Sequence, residues 1–324
     1  MKKYDLIRRT VVALTMTLPG VVWSQAYPAK PIRMIVPFAP GGAVDVTART
    51  IAQLLSSRLG QQVLVDNRGG AGGNIGVELA AKSPPDGYTL VMATAGQISI
   101  NPHMYAKLPF DPVKDLAPIT PAGQAVNALC VHPSIPARSV KEFIALAKSQ
   151  PNKLNFATGG IGASDHIATE LFMSLTGTRM VHVPYKGGAP AMIDLMAGNV
   201  DLGFSTVATA IGPAKAGRLR ALGVTSAKRF ELLPDVPTIA EAGVPGYESV
   251  VWYGLFAPAG TPADIIRRLN AEAVAILQTD DVRRRLTESG VLAISSSPDA
   301  FANYVAAETA RWGKLIRANN IKAE

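Results

Sequence analysis

The sequence has one cysteine, Cys130, so an intrachain disulfide and a cysteine-built zinc site are both excluded. Cys130 lies in the apolar run Ala128 to Val131 and reads as an inert core thiol. Charged residues make up only 17% of the 324, against 48% hydrophobic, too few for a charged coiled coil and too apolar for a disordered tail. Aromatics are scarce at 6%, and none is interleaved with the densest basic cluster, Arg283 to Arg285. That cluster sits in a helical pattern between Val282 and Leu286 and reads as a solvated face, so nucleic acid is not an expected partner. No Gly-Lys-Ser/Thr occurs, and the third glycine of a dinucleotide fingerprint would fall at Ile75, which makes nucleotides poor candidates.

Catalytic groupings are also missing. The four histidines, His103, His132, His166 and His182, form no His-Glu-x-x-His pattern, and the segment Gly162 to His166 lacks the last glycine of a nucleophile elbow. Ser164 and His166 stand at i and i+2 of a helical turn and point apart, so Ser164 reads as a cap or a ligand contact. His182 alternates within Met180 to Pro184 and reads as the outward face of a strand, with a structural role. No enzyme, no metal and no cofactor are expected.

What is present begins at the N-terminus. Lys2, Lys3, Arg8 and Arg9 precede an apolar run, Thr10 to Trp23, that ends in Ser24-Gln25-Ala26. Fourteen residues broken by Pro19 and Gly20 are too short to cross a hydrocarbon core of roughly 30 Å, so residues 1–26 read as an export signal cleaved after Ala26. Cleavage removes four of the 32 basic and one of the 24 acidic residues, lowering the charge from +8 to +5. The context of Arg8-Arg9 fits twin-arginine export weakly. No later stretch is apolar over 18 residues, so a soluble exported protein is expected.

Apolar runs of strand length then alternate with segments of helical period. Strands are expected at 32–38, 63–66 and 89–94, with a helix over 45–59 whose apolar face is Ala48, Ile51, Ala52, Leu55 and Leu59, and another from Asn74. The grammar restarts after residue 125: a strand at 129–132, a capping box at Ser139 to Glu142, strands at 154–157, 180–184, 200–204 and 219–225, and helices over 164–175 and from Pro190. From about Glu248 come a strand at 250–257 and helices over 263–277 and 298–316. This alternation predicts an α/β fold of two lobes, each a mostly parallel sheet flanked by helices. The boundaries expected are 27–124 with 247–324 for lobe 1 and 125–246 for lobe 2, with two crossings acting as a hinge.

Glycine clusters follow strands and open helices at Gly41-Gly42, Gly69 to Gly73, Gly159 to Gly162 and Gly187-Gly188. Glycine allows close backbone approach, and the N–H groups of a first helical turn are unpaired at the positive end of the helix dipole. Each cluster is either a tight turn or part of an anion-binding cleft at the carboxyl ends of the strands. Asp45, an acid beside such a loop, either caps helix N–H groups or accepts from a ligand hydroxyl, amino group or water.

Several motifs carry a resemblance: Tyr27-Pro28 through Arg33, Pro40-Gly41-Gly42 with Asp45, Asn67-Arg68 through Gly76, Pro85 through Leu90, Leu108 through Pro112, His182 through Gly187, Pro234 through Thr238 and Trp252 through Pro262. In this order they resemble the Bug family, the substrate-binding components of tripartite tricarboxylate transporters, over essentially the whole mature chain. Gly69 departs from the proline that relatives commonly carry there. The resemblance implies a periplasmic, two-lobed type II binding protein, monomeric, that closes on a small organic acid and delivers it to membrane permease subunits. It implies a site at Phe38, Ala39, Gly41, Gly42 and Asp45 in the first loop, and Gly159, Gly160, Gly162, Ala163, Ser164 and His166 in the second-lobe loop. Asn74, Thr94, Ala95 and Tyr185 are expected as further wall residues. A sensor subunit for a membrane kinase and a periplasmic enzyme using the same cleft are the alternatives.

Overall fold

The structure is a computed structural model and describes residues 27–318. The segment read as an export signal therefore lies outside the described residues. The chain opens with β1 (Ile32–Val36), α1 (Ala43–Leu59), β2 (Val63–Asn67), α2 (Asn74–Ala81) and β3 (Thr89–Thr94). A π turn at Gly96–Ile100 leads into α3 (Asn101–Met104) and then β4 (Leu116–Val131). Next come α4 (Val140–Ser149), β5 (Asn155–Thr158), α5 (Ser164–Thr176), β6 (Val181–Pro184), α6 (Gly188–Ala197), β7 (Leu202–Thr206), α7 (Val207–Lys215) and β8 (Arg220–Val224). The chain ends with β9 (Val250–Pro258), α8 (Ala263–Leu277), α9 (Asp280–Glu288), β10 (Val291–Leu292) and α10 (Pro298–Ala318).

Local sequence explains the helix ends. The apolar face of α1 is buried as its spacing requires, and Gly60, at φ 69°, ends the helix by returning its N–H to the Ser56 carbonyl. At α4 the Ser139 hydroxyl accepts from the Glu142 N–H at 3.2 Å, while the Glu142 carboxylate reaches one residue further back, to the Arg138 N–H.

The strands run β2-β1-β3-β9-β4-β7-β5-β6, with β8 and β10 also on β4. The outer strands are parallel, β1 with β2 and β3, and β5 with β6 and β7. The middle of the sheet is antiparallel, because β4 and β9 run against each other and against their other neighbours. The fold is thus two-lobed and α/β, with the parallel pattern confined to the flanks.

β4 belongs to both lobes. Residues 116–126 pair with β9, ending at Val126 opposite Val250, and from Asn127 opposite Thr206 the strand pairs with β7. The strand expected at 129–132 overlaps only the last three residues of β4, because Pro118, Pro121 and Gly123 argue against a central strand. The strand accommodates them by register shifts between Pro118 and Thr120 and between Pro121 and Gly123. At the switch the Asn127 N–H donates to the Thr225 hydroxyl, the Thr225 N–H to the Asn127 carbonyl, and the Ser249 N–H to the Thr225 carbonyl.

Each half of the sheet is covered on both faces. In lobe 1, α1 and α8 bury Ile51, Leu55 and Leu269 on one side, and α2 and α10 bury Val77, Phe301 and Trp312 on the other. In lobe 2, α4 and α5 bury Phe143 and Phe172, and α6 and α7 bury Leu195 and Ala210. Cys130 is fully buried among the latter, where desolvation pushes its thiol up to about 12, which agrees with an inert thiol.

Candidate functional site

Parallel strands place their carboxyl ends, and the amino ends of the helices that follow, along one line. Here four helices, α1, α5, α6 and α7, begin at one cavity of about 60 Å³ between the lobes, above the minimum that holds an ordered water. The β1–α1 loop supplies Phe38, Ala39, Gly42, Ala43, Val44 and Asp45. Thr94 at the end of β3, with Val251 and Tyr253 on β9, completes the lobe 1 wall. Lobe 2 contributes Ala157, Gly159, Ala163, Ser164 and Asp165, then Gly188 and Ala191 of α6, and Ser205, Thr206 and Thr209 around the start of α7.

None of these four helices is capped by a side chain at its N-cap residue, which is Gly42, Ala163, Gly187 and Thr206 in turn. Ser164 is therefore the first helical residue and not the cap. No lysine, arginine or histidine is among the described wall residues. Positive charge on these walls is thus supplied by backbone N–H groups and helix dipoles alone, the arrangement that suits an anion.

Of the residues expected from sequence, the structure brings eight to this wall: Phe38, Ala39, Gly42, Asp45, Thr94, Gly159, Ala163 and Ser164. Seven lie elsewhere. Gly41 is exposed and donates its N–H to Asp45 at 3.0 Å. Asn74 and Ala95 are buried in lobe 1 behind the wall. Gly160 and Gly162 face the opposing lobe, and Tyr185 turns away to donate to Asp194 at 2.6 Å. His166 points into lobe 2, where its Nδ1 accepts from the Gly162 N–H at 3.2 Å and its ring stacks 4.1 Å from His182.

His182 likewise turns inward and not to the outer face. Its ring stacks on Phe156 at 4.8 Å and its Nε2 lies 2.5 Å from the Thr158 hydroxyl. Burial, then the neighbouring His166, lowers its pKa to about 3. A histidine depressed from 6.5 stabilises the fold above pH 6.5 and loses that contribution as pH falls toward 3. The urea midpoint is therefore expected to drop between pH 6.5 and 4, and less steeply in His182→Phe. Parallel profiles for the two proteins would contradict this.

Two aspartates line the cavity in matching positions, each accepting from a glycine N–H of the preceding loop: Asp45 from Gly41, and Asp165 from Gly159 at 2.7 Å. Their surroundings differ. Burial acts to raise Asp45, but Arg49 at 2.9 Å, the Gly41 N–H and the Asn67 amide outweigh it and hold the carboxyl below the usual range. Of the two roles weighed for Asp45, the helix-start tie to Gly41 is the one formed here. Asp165 has no cationic side chain on its carboxylate, and burial raises it to about 6 against the Gly159 and His166 N–H groups.

Asp165 stands between the two residues that sequence singled out, and its likeness to Asp45 was the available signal. Thr206 ends β7 and Thr209 lies in the first turn of α7 with no glycine loop between the two elements, so the local sequence did not mark them. Tyr253 lies mid-strand, and its place on the wall depends on pairing across the sheet.

The lobes meet over the cavity. The Tyr105 hydroxyl donates to the Ile161 carbonyl at 3.0 Å. The Asn101 amide, in the orientation that satisfies both of its ends, donates to the Gly162 carbonyl at 3.0 Å. The backbone at Gly72 passes so close that a β-carbon there would sit 1.7 Å from the Ile161 carbonyl oxygen.

Two α/β lobes joined through shared strands, with a cleft where their helices begin, define the periplasmic binding-protein class of fold. The sequence model of the tripartite tricarboxylate transporter family receptor (TctC) matches residues 47–321, and the chain belongs to this family, whose members are periplasmic solute-binding proteins. It is similar to the periplasmic binding protein BugD, 33% identical over 91% of this chain and 99% of that one, with a TM-score of 0.87. The R. palustris protein Rpa4515, solved with adipate, is 39% identical over 91% of this chain and 99% of its own, with a TM-score of 0.88. MatC from Rhodopseudomonas palustris, solved with bound malate, is 32% identical over 90% and 100% of the two chains, with a TM-score of 0.86.

Proposed function

We propose that this chain is a periplasmic receptor that captures a small dicarboxylate between its lobes and hands it to the permease subunits of a tripartite tricarboxylate transporter. The observation that carries this reading is the convergence of four helix starts, none capped by its N-cap side chain, on a cavity whose described walls hold no basic side chain. Such a site binds a carboxylate through charge-assisted hydrogen bonds from N–H groups in a partly desolvated space. Adipate in Rpa4515 and malate in MatC support acids of this size.

In this reading residues 1–26 direct export, 27–124 with 247–324 form lobe 1, and 125–246 form lobe 2. The lobes open and close about the strands that pass between them. Ligand bound to one lobe recruits the other, and its tighter binding to the closed form shifts the equilibrium. The protein acts as a monomer and performs no covalent step.

Thermal denaturation with a panel of acids tests this. At millimolar adipate or malate the melting temperature is expected to rise by several degrees, as binding to the native state alone requires, while adipamide, which lacks the charges, leaves it unchanged. No shift with any acid, together with no small molecule retained in native mass spectrometry, would overturn the proposal.

A further inference from the structure

We propose that the Tyr253 hydroxyl is a ligand contact that donates a hydrogen bond to an oxygen of the captured acid, and so helps to decide which acid fits. The inference rests on the receptor reading above and adds a specificity residue to it. Tyr253 is 1% exposed and is one of the residues on the cavity wall, and its buried hydroxyl has no hydrogen-bond partner among the described residues. Buried hydroxyls almost always have one, because desolvation without replacement is costly.

Four other tyrosines show the usual outcome. Tyr27 donates to the Gly87 carbonyl, Tyr105 to Ile161, Tyr185 to Asp194 and Tyr247 to the Ala168 carbonyl. Two further residues carry unpartnered buried polar atoms, Asn127 and Trp252, but neither is on the cavity wall. Among the described residues, Tyr253 alone combines an unpartnered buried group with the site.

Its position is also rigid. In β9 it pairs with Thr94 on one side and Gly123 on the other, and a β-carbon at Gly123 would already be 3.4 Å from its ring. The ring is thus laid over a glycine and held by the sheet, so donating to a ligand requires little further ordering. Burial and the nearby Asp165 carboxylate both push the hydroxyl above its ordinary pKa, which keeps its proton in place. A hydroxyl that keeps its proton can donate to an acceptor oxygen of the ligand.

The test is Tyr253→Phe, with affinity for adipate and malate by titration calorimetry and the melting temperature of the ligand-free protein. The inference expects affinity for at least one acid that wild type binds to fall tenfold or more, and the ligand-free melting temperature to be equal or higher, since the variant no longer buries an unpaired hydroxyl. A fall smaller than tenfold for every such acid overturns it. So does a lower ligand-free melting temperature, which would mean that the hydroxyl is bonded within the protein. Wild type that binds neither these acids nor any other would sink the receptor reading and this inference together, whereas wild type that binds and a variant that binds equally well sinks the inference alone.

Discussion

Gly72→Ala is expected to weaken ligand binding by about a hundredfold while leaving both lobes folded. The added β-carbon would lie 1.7 Å from the Ile161 carbonyl oxygen and 2.9 Å from its carbon, both backbone atoms that cannot rotate away. Relief comes only from moving the lobes apart, and that separates the Gly159 to Ala163 loop from the β1–α1 loop. A ligand that needs both loops then pays for a rarely populated closed state, and a hundredfold loss corresponds to about 2.8 kcal/mol at 1.4 kcal/mol per tenfold. Gly72 has φ 62°, so alanine also introduces backbone strain of about 1–2 kcal/mol, visible as a melting temperature lower by a few degrees. Calorimetry and small-angle scattering check this: the variant stays extended at ligand concentrations that compact wild type. Wild-type affinity in Gly72→Ala would show that binding does not use the closed arrangement.

The second large effect concerns pH and Asp165. A carboxylate that shares a cavity with an anionic ligand cannot stay charged without opposing it, and Asp165, unlike Asp45, is paired with no arginine or lysine among the described residues, His166 acting on it only from nearby. With its pKa raised to about 6 in the free protein, and higher again beside a ligand, capture above pH 6 takes up a proton. Affinity for adipate is therefore expected to fall by up to about tenfold per pH unit between pH 6 and 8, where the acid itself is ionised throughout.

Asp165→Asn keeps an oxygen for the Gly159 N–H and removes the charge. It should bind more tightly than wild type at pH 8 and with a flat pH profile. Stability gives an independent reading. A carboxyl raised from 3.8 to about 6 contributes its stability fully below pH 4 and loses it as pH rises through 6, so the asparagine variant should melt higher than wild type at pH 8. A profile as steep in the variant as in wild type would remove Asp165 from this role.

Legibility followed the range of the interactions. The helices α1, α4 and α8 could be read because each has an apolar face of period 3.6 and a local stop or start, such as Gly60 or Ser139. The β1–α1 and β5–α5 parts of the cavity were legible for the same reason: a strand, a glycine loop and a helix start are all written within a dozen residues. β4 was mostly hidden, since its prolines look like breakers until β9 and the bulges accept them. His166 was expected on the wall because the resemblance implies a binding loop that runs from Gly159 to His166, yet two positions beyond Ser164 the helix turns the side chain into the lobe, against His182.

By itself the sequence determined the α/β alternation, the glycine loops that open α1, α5 and α6, and the family. These depend on periodicity, on backbone freedom and on ordered motifs, which are properties of neighbouring residues. Only the tertiary structure decided that α7 shares the cavity, that Asp45 is paired with Arg49 where Asp165 has no arginine or lysine partner, and that Tyr253, whose hydroxyl is unpaired among the described residues, lies on the same wall. Those outcomes depend on which strands lie side by side and on which groups are cut off from water, and both are set by contacts between residues far apart in the chain.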